Sequence, residues 1–150
     1  MTTLIRAAAP PWRRVEVLLI AVARQLRAAF DHRLTVLDLN LNQASLLAYV
    51  NDFGESNQTE IAEIVGVGRA ACGSMIDRLE ERGLVTRNPD PTDRRVWRVG
   101  ITPEGSALVD TFYEIDAGFQ KEIRRDISRE ERQQLASLLE RLGTNVDAIL

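Results

Sequence analysis

One stretch of this sequence, from Asn57 to Gly105, constrains the fold more than any other part of the chain. It begins with two segments whose apolar residues recur at helical spacing, joined at Gly66, which can adopt the left-handed conformation of a tight turn. Two segments of alternating apolar and polar residues follow, Leu84–Arg87 and Val96–Ile101, and the residues between them are dense in turn formers. The order of helix, turn, helix, strand, hairpin and strand is that of a winged helix-turn-helix.

Helical periodicity within this stretch predicts which side chains are buried. The third helix of the chain, about Gln58 to Val65, opens with Asn57 and Glu60 at capping-box spacing. The fourth helix runs from about Arg69 to Arg82, and the glycine that follows it is typical of a helix end. The inward-facing residues expected on the two helices are Ile61, Ala62, Ile64, Cys72, Met75, Ile76 and Leu79.

Longer helices are predicted on both sides of the stretch. They run from Trp12 to about Leu37, from an Asn42 cap to about Gly54, from a Thr102 cap to about Arg125, and from a capping box of Ser128 and Glu131 toward the C-terminus. The first and last of these helices carry long apolar stripes, which would leave large exposed patches on a monomer. The sequence therefore predicts a mainly α fold with a small β-wing.

Composition argues against several classes of protein. Only one Cys and one His occur among 150 residues, so neither an intrachain disulfide nor a Cys cluster for zinc is expected. Catalytic constellations, phosphate-binding glycine loops and metal-ligand clusters are not recognisable, and we expect neither enzymatic activity nor a cofactor. Apolar runs stay well below the roughly 20 residues of a membrane span, and the N-terminal residues lack the order of a signal peptide. We expect a cytoplasmic protein whose residues 1–11 form a flexible arm.

The charge of the chain is unusual for a nucleic-acid-binding protein. The net charge is -3, whereas DNA-binding domains are often basic because they neutralise phosphates. Seven arginines nevertheless fall within the winged segment: Arg69, Arg78, Arg82, Arg87, Arg94, Arg95 and Arg98. Acidic residues are interleaved with them, so a basic face can arise only from the way the chain folds.

Three segments resemble the MarR family of bacterial transcription regulators. They are TEIAEIVGV, MIDRLEERGLVTR and DPTDRRVWRVGITPEG, which occur in this order between long helices. The resemblance spans residues 12–150 and implies a homodimer, with dimerisation helices at 12–38 and 103–150 around a DNA-binding part at 42–101. It also implies a repressor that binds a pseudo-palindromic operator in double-stranded DNA and is released by a small amphipathic or aromatic effector.

The resemblance places five residues toward the major groove: Gly68, Arg69, Ala70, Gly73 and Ser74. Larger polar residues are common at several of these family positions, whereas here only Arg69 and Ser74 can offer side-chain hydrogen bonds to bases. We therefore expect specificity to depend on Arg69, on the wing and on DNA shape. The alternative for Gly73 is that it merely weakens the helix.

Further candidates lie on the same helix, in the hairpin and in the first helix. Arg78 is expected to contact phosphate, with a surface ion pair as the alternative. The resemblance implies that one of Arg94 and Arg95 pairs with Asp93 to stiffen the hairpin, while the other enters the minor groove. His32, the only histidine, lies near the family's ligand pocket, and its alternative is a surface or structural role.

Some features also permit simpler interpretations. Cys72 falls on the inward side of the fourth helix, which favours a small buried hydrophobe over a redox sensor. Trp12 and Trp97 are predicted to be packing residues, and the alternative for Trp97 is a place over the DNA backbone. A different function remains open from the sequence, because winged helices also serve as protein-docking modules, and the small side chains of the recognition helix fit that alternative.

Overall fold

The structure, a computed structural model, describes residues 10–150 and contains six α-helices and three short strands in that range. In chain order they are α1 (Val15–Leu34), α2 (Leu41–Phe53), β1 (Ser56–Asn57), α3 (Gln58–Val65), α4 (Arg69–Glu81), β2 (Val85–Pro89), β3 (Trp97–Ile101), α5 (Pro103–Ile123) and α6 (Arg129–Asp147). The arrangement confirms the predicted mainly α fold with a small β-wing. Most of the predicted flexible arm, residues 1–11, lies outside the described residues. The described helices include none with the length and apolar character of a membrane span.

The described residues form two compact units, of which the first ends at Ile115 and the second comprises Asp116–Leu150. The first unit contains the winged helix-turn-helix. Its largest fully buried side chains are Leu34, Leu46, Leu47, Val50, Ile61, Cys72, Ile76, Leu79, Val85, Val99 and Val109. In the second unit, α6 has an exposed apolar stripe that includes Leu135, Leu138 and Leu139. The division into dimerisation and DNA-binding parts stays a prediction.

The ends of α1 and α2 differ from those predicted. α1 is shorter at both ends because two 3-10 turns, Pro11–Arg13 and Thr35–Leu37, flank it. The cap of α2 is Asn40, whose side chain accepts the Gln43 amide at 3.0 Å while the Gln43 side chain accepts the Asn40 amide at 3.0 Å. The prediction of Asn42 was wrong because a capping box needs Gln or Glu three residues after the cap, and Gln43 stands at that distance from Asn40.

The other helix signals are confirmed by hydrogen bonds and backbone angles. Reciprocal capping boxes join Asn57 to Glu60 and Ser128 to Glu131. Gly66 and Gly83 follow α3 and α4 with φ angles of 72° and 69°, a region that glycine reaches without steric cost. These local signals therefore position the two short helices of the winged segment.

The three strands form one antiparallel sheet in the order β1, β3, β2. β2 and β3 make the wing, with Val85 opposite Ile101 and Pro89 opposite Trp97. β1 pairs Ser56 with Val99 on the other side of β3 and was not predicted. A strand of two residues is too short to show the alternation by which strands are recognised in a sequence.

Three apolar side chains are more exposed than predicted. Ile64 is 61% exposed because α3 packs through Ile61 and Ala62, and Ile64 points to one side of that face. Trp12 is 75% exposed and Trp97 is 54% exposed, so neither of the two predicted packing residues is buried in the single chain.

Candidate DNA-binding interface

The recognition helix, α4, separates buried from exposed side chains as its period requires. Cys72, Met75, Ile76 and Leu79 recur at intervals of three and four residues and fill the core. The exposed residues of α4 include Arg69 in its first turn, Ala70, Ser74 and Arg78, and Gly68 is the exposed cap. The side chains predicted to face DNA at these positions are thus accessible to a partner.

Gly73 is placed differently from the other predicted contact residues. It is half-buried on the flank of α4 that adjoins the start of α3. There the side-chain amide of Gln58 donates a hydrogen bond from Nε2 to the Arg69 carbonyl at 2.8 Å. A Cβ added to Gly73 would lie 3.0 Å from the same Nε2. Gly73 therefore faces another part of the protein as well as the exposed side of α4.

Three of the seven arginines hold the winged segment together. Arg87 of β2 bonds Asp77 and Glu80 of α4, which ties the wing to the recognition helix. Arg98 of β3 pairs with the carboxylate of Asp90 at 3.0 Å and donates to the Glu55 carbonyl at 2.7 Å.

Arg82, after the last turn of α4, donates to the carbonyls of Leu37 and Asp38 at 3.0 and 2.5 Å. It thereby joins the end of the recognition helix to the turn before α2. Like Arg87 and Arg98, it is engaged within the protein.

The other four arginines are Arg69, Arg78, Arg94 and Arg95, and all four are exposed. Among residues 10–150, their guanidinium groups have no recorded hydrogen bond or ion pair with another described side chain. Asp77, a possible partner for Arg78, is engaged by Arg87 instead. Folding thus leaves four positive charges available on an acidic chain, at the recognition helix and at the tip of the wing.

Arg78 also lines a cavity of about 270 Å³ between the start of α2 and the recognition helix. Asn40, Asn42 and Ser74 contribute to the same wall. The residues that line this cavity with Arg78 include no carboxylate.

The wing loop is organised by a single carboxylate, that of Asp90. Its Oδ1 accepts the Thr92 hydroxyl at 2.6 Å and the amides of Thr92 and Asp93 at 2.8 and 3.1 Å. Its Oδ2 accepts Arg98 at 3.0 Å. The Asp90 side chain thus accepts four hydrogen bonds, which fix the turn that presents Arg94 and Arg95.

The expected ion pair between Asp93 and a neighbouring arginine is not what stiffens the hairpin. Asp93 Oδ1 accepts the backbone amide of Arg95 at 3.0 Å, and the ion pair of the wing joins Arg98 to Asp90. The reason is geometric: an Asp side chain readily bonds an amide two residues on, which leaves both arginine side chains outside the turn. The sequence signal that could have found Asp90 is its place within a run of turn formers, two residues before Thr92, whose amide an Asp side chain at that distance can accept.

Asp90 makes the wing sensitive to acid. Hydrogen bonds from Thr92, and then from Arg98 and Asp93, hold the pKa of the Asp90 carboxyl well below its usual range. A depressed folded-state pKa contributes stability that is present above the unfolded value, about 3.9, and is lost as the pH falls below it. We expect Asp90→Ala to flatten the decline of thermal stability below about pH 4.

At neutral pH, the same variant is expected to lose amide exchange protection at Thr92 and Asp93 while its far-ultraviolet circular dichroism stays native. Asp90→Asn is the matched control, because it keeps an acceptor for the turn amides but loses the charge that pairs with Arg98. Unchanged protection in Asp90→Ala would contradict the assignment of the wing to this carboxylate.

The predicted ligand residue His32 is not among the residues that line the cavity along α1, and its role in ligand binding stays a prediction. It is exposed, and its carbonyl accepts the Thr35 hydroxyl at 2.7 Å. A cavity of about 480 Å³ lies along α1 instead, with Ile20, Leu26 and Phe30 among its lining residues. This cavity was not predicted, because its walls come from α1 and from the start of α2.

Cys72 has the surroundings of a small buried hydrophobe. Burial raises the pKa of its thiol, and Sγ lies 3.6 Å from the Gln58 carbonyl oxygen. The part of the chain that the structure describes contains no group of three or more His, Cys, Asp or Glu that could hold a metal ion.

Known proteins share this arrangement. A model of the MarR family matches residues 37–96. The MepR–DNA complex of S. aureus is similar with a TM-score of 0.80 at 22% identity, over 88% of this chain and 97% of that chain. The transcriptional regulator SlyA gives a TM-score of 0.80 at 26% identity, over 88% and 93% of the two chains.

BpsR of Bordetella bronchiseptica is similar with a TM-score of 0.79 at 25% identity, over 86% of this chain and 92% of that chain. Its DNA binding is described as regulated by 6-hydroxynicotinic acid. The similarity to these proteins extends over most of the chain.

Proposed function

Because this chain belongs to the MarR family of DNA-binding transcription regulators, we propose that it is a homodimeric repressor of a pseudo-palindromic operator, released by a small ligand. The observation that carries the proposal is the division of the arginines. Three are engaged by other groups of the protein, and Arg69, Arg78, Arg94 and Arg95 are left exposed. DNA phosphates and guanine edges are the partners that such arginines fit.

Base readout in this proposal depends mainly on Arg69. It stands in the first turn of α4, and the N-terminal residues of a recognition helix are those that contact base edges. Gly68 and Ala70 allow the helix to approach closely, and Ser74 adds one hydroxyl. Arg78 lies one helical turn beyond Ser74, where it would contact a phosphate.

Dimerisation is supported by apolar side chains that are exposed in the single chain. They lie in the first half of α1 and along α6: Val15, Leu18, Leu19, Ile20, Val22, Leu135, Leu138, Leu139 and Val146. Exposed apolar surface of this extent is typical of an interface. A two-fold dimer would present two recognition helices to half-sites about one helical turn apart.

The cavity along α1 is the site that we assign to the effector. Its wall is mostly apolar but includes Arg24 and Arg27, a combination that fits an aromatic acid. The regulation of BpsR by 6-hydroxynicotinic acid supports an effector of this class. Such a ligand would act by binding more tightly to one spacing of the recognition helices than to the other.

The proposal is tested by titrating the protein against DNA upstream of its own gene at several salt concentrations. We expect tight, sequence-dependent, salt-sensitive binding. Arg69→Ala should reduce discrimination between the operator and other DNA by about tenfold or more, since one good base contact is worth about 1–3 kcal/mol. Arg125→Ala, an exposed arginine in the turn after α5, is the matched control for charge.

Weak binding that is equal for all DNA would overturn the proposal, and salt-insensitive binding to a protein partner would replace it by the docking function. The ligand part has its own test, in which aromatic acids are screened for a change in operator affinity or thermal stability. A broad screen without any effect would contradict ligand release but would leave operator binding intact.

A further inference from the structure

Gln58 joins the beginnings of α3 and α4, the two helices of the helix-turn-helix. Its side-chain Nε2 donates to the Arg69 carbonyl at 2.8 Å, and its backbone carbonyl lies 3.6 Å from the Cys72 sulfur. Gln58 is the first residue of α3, and Arg69 is the first residue of α4. One residue thus contacts the first turn of the recognition helix through both its side chain and its backbone.

Gly73 leaves the space that the Gln58 amide occupies. In a regular helix, the Gly73 amide follows the Arg69 carbonyl by one turn, so both residues lie on the same flank of α4. A Cβ at Gly73 would lie 3.0 Å from Gln58 Nε2, 3.6 Å from Cδ and 3.7 Å from Oε1. The terminal amide would then have to shift by a few tenths of an ångström, and the shift would weaken its bond to the Arg69 carbonyl.

We infer that Gln58 is a positioning residue for DNA readout, and that Gly73 is small in order to accommodate it. Glycine weakens a helix interior relative to alanine, so its presence in the middle of α4 needs a compensating role. The Gln58 amide fixes the first turn of α4, and therefore the direction from which Arg69 projects. The inference rests on the proposed function, because Arg69 must read a base for its direction to matter.

The test compares Gly73→Ala, Gln58→Ala, Gln58→Met and the double variant Gln58→Ala with Gly73→Ala. The readout is the ratio of affinities for the operator and for an operator changed at the base pair that Arg69 contacts. Each single variant is expected to lower this ratio about tenfold, the scale of one base contact. The double variant should lose no more than Gln58→Ala alone, because every variant weakens or removes the same hydrogen bond. Gln58→Met keeps the length of the side chain but removes the hydrogen-bond donor. It therefore tests the hydrogen bond apart from the size of the side chain.

Two further measurements show whether Gln58 acts through Arg69. In an Arg69→Ala background, Gln58→Ala should change the ratio no further. Thermal stability should rise more when Gly73→Ala is introduced beside Gln58→Ala than in the native chain, because the space is then free. Gly143→Ala in α6, where an added Cβ meets nothing within 4 Å, is the control for the gain in helix propensity alone.

The outcomes separate the inference from the proposed function. If the native chain discriminates operators and the Gln58 and Gly73 variants keep the full ratio, the positioning role is wrong and the DNA-binding function stands. If Gln58→Ala lowers the ratio equally in the Arg69→Ala background, Gln58 does not act through Arg69 and the inference also fails. If the native chain does not discriminate at all, both fail together.

Discussion

The double variant Arg94→Ala with Arg95→Ala is expected to bind the operator at least about 100-fold more weakly than the native chain at 0.1 M salt. Both side chains leave the wing at a turn held by Asp90, and neither is engaged with another described side chain. In the proposed dimer, the double variant would remove four positive charges that face phosphates or the minor groove. The slope of log affinity against log salt concentration should therefore decrease in magnitude by about 2–4, since each lost phosphate contact accounts for about 0.9.

The chain contains a closely matched control for this variant. Arg124 and Arg125 are also adjacent, exposed and located in a turn, but they follow α5. Arg124→Ala with Arg125→Ala removes the same charge. Because this pair lies outside the winged segment, its loss should alter the salt dependence of DNA binding far less. Equal losses in the two double variants would mean that net charge alone attracts DNA and that the wing makes no specific contact.

Gly105→Ala is expected to destabilise the fold by at least about 3 kcal/mol, at the upper end of the cost of overpacking. An added Cβ would lie far inside van der Waals distance of the Leu84 carbonyl oxygen and 2.9 Å from Ile101 Cδ1. That carbonyl belongs to the backbone beside the sheet and accepts the Thr102 amide at 3.1 Å, so it cannot move without breaking a hydrogen bond.

The change is measured as the free energy of unfolding in denaturant at one fixed protein concentration, because a dimer's stability depends on concentration. The control is again Gly143→Ala, a helical glycine with open space, which should raise stability by up to about 1 kcal/mol. If the free energy of unfolding of Gly105→Ala lies within about 1 kcal/mol of that of the native chain, the helix can shift away from Leu84. The contact would then not be the reason for a glycine at this position.

Local signals in the sequence predicted most of the fold because they act over a few residues. Asn57 with Glu60 places the start of α3, and Gly66 and Gly83 place its end and that of α4. Each of these signals is a hydrogen bond or a backbone angle between neighbours in the chain. The two-residue strand β1 was missed because its partner, Val99, is distant in sequence and the strand itself has no pattern.

The candidate site was predicted in part for the same reason. The period of α4 was sufficient to place Arg69, Ala70, Ser74 and Arg78 on its exposed side. The contact between Gly73 and Gln58 was not predicted, because it depends on how two helices pack.

The sequence by itself determined the order of the helices and the wing strands, most of the helix caps, the buried face of the recognition helix and the resemblance to a family of regulators. Only the tertiary structure decided which arginines are available, since it engages Arg82, Arg87 and Arg98 and leaves the rest exposed. The tertiary structure also showed that Asp90, rather than Asp93, holds the wing turn together. The physical reason is that a charge is engaged or left free by distances of a few ångströms between segments that lie far apart in the chain.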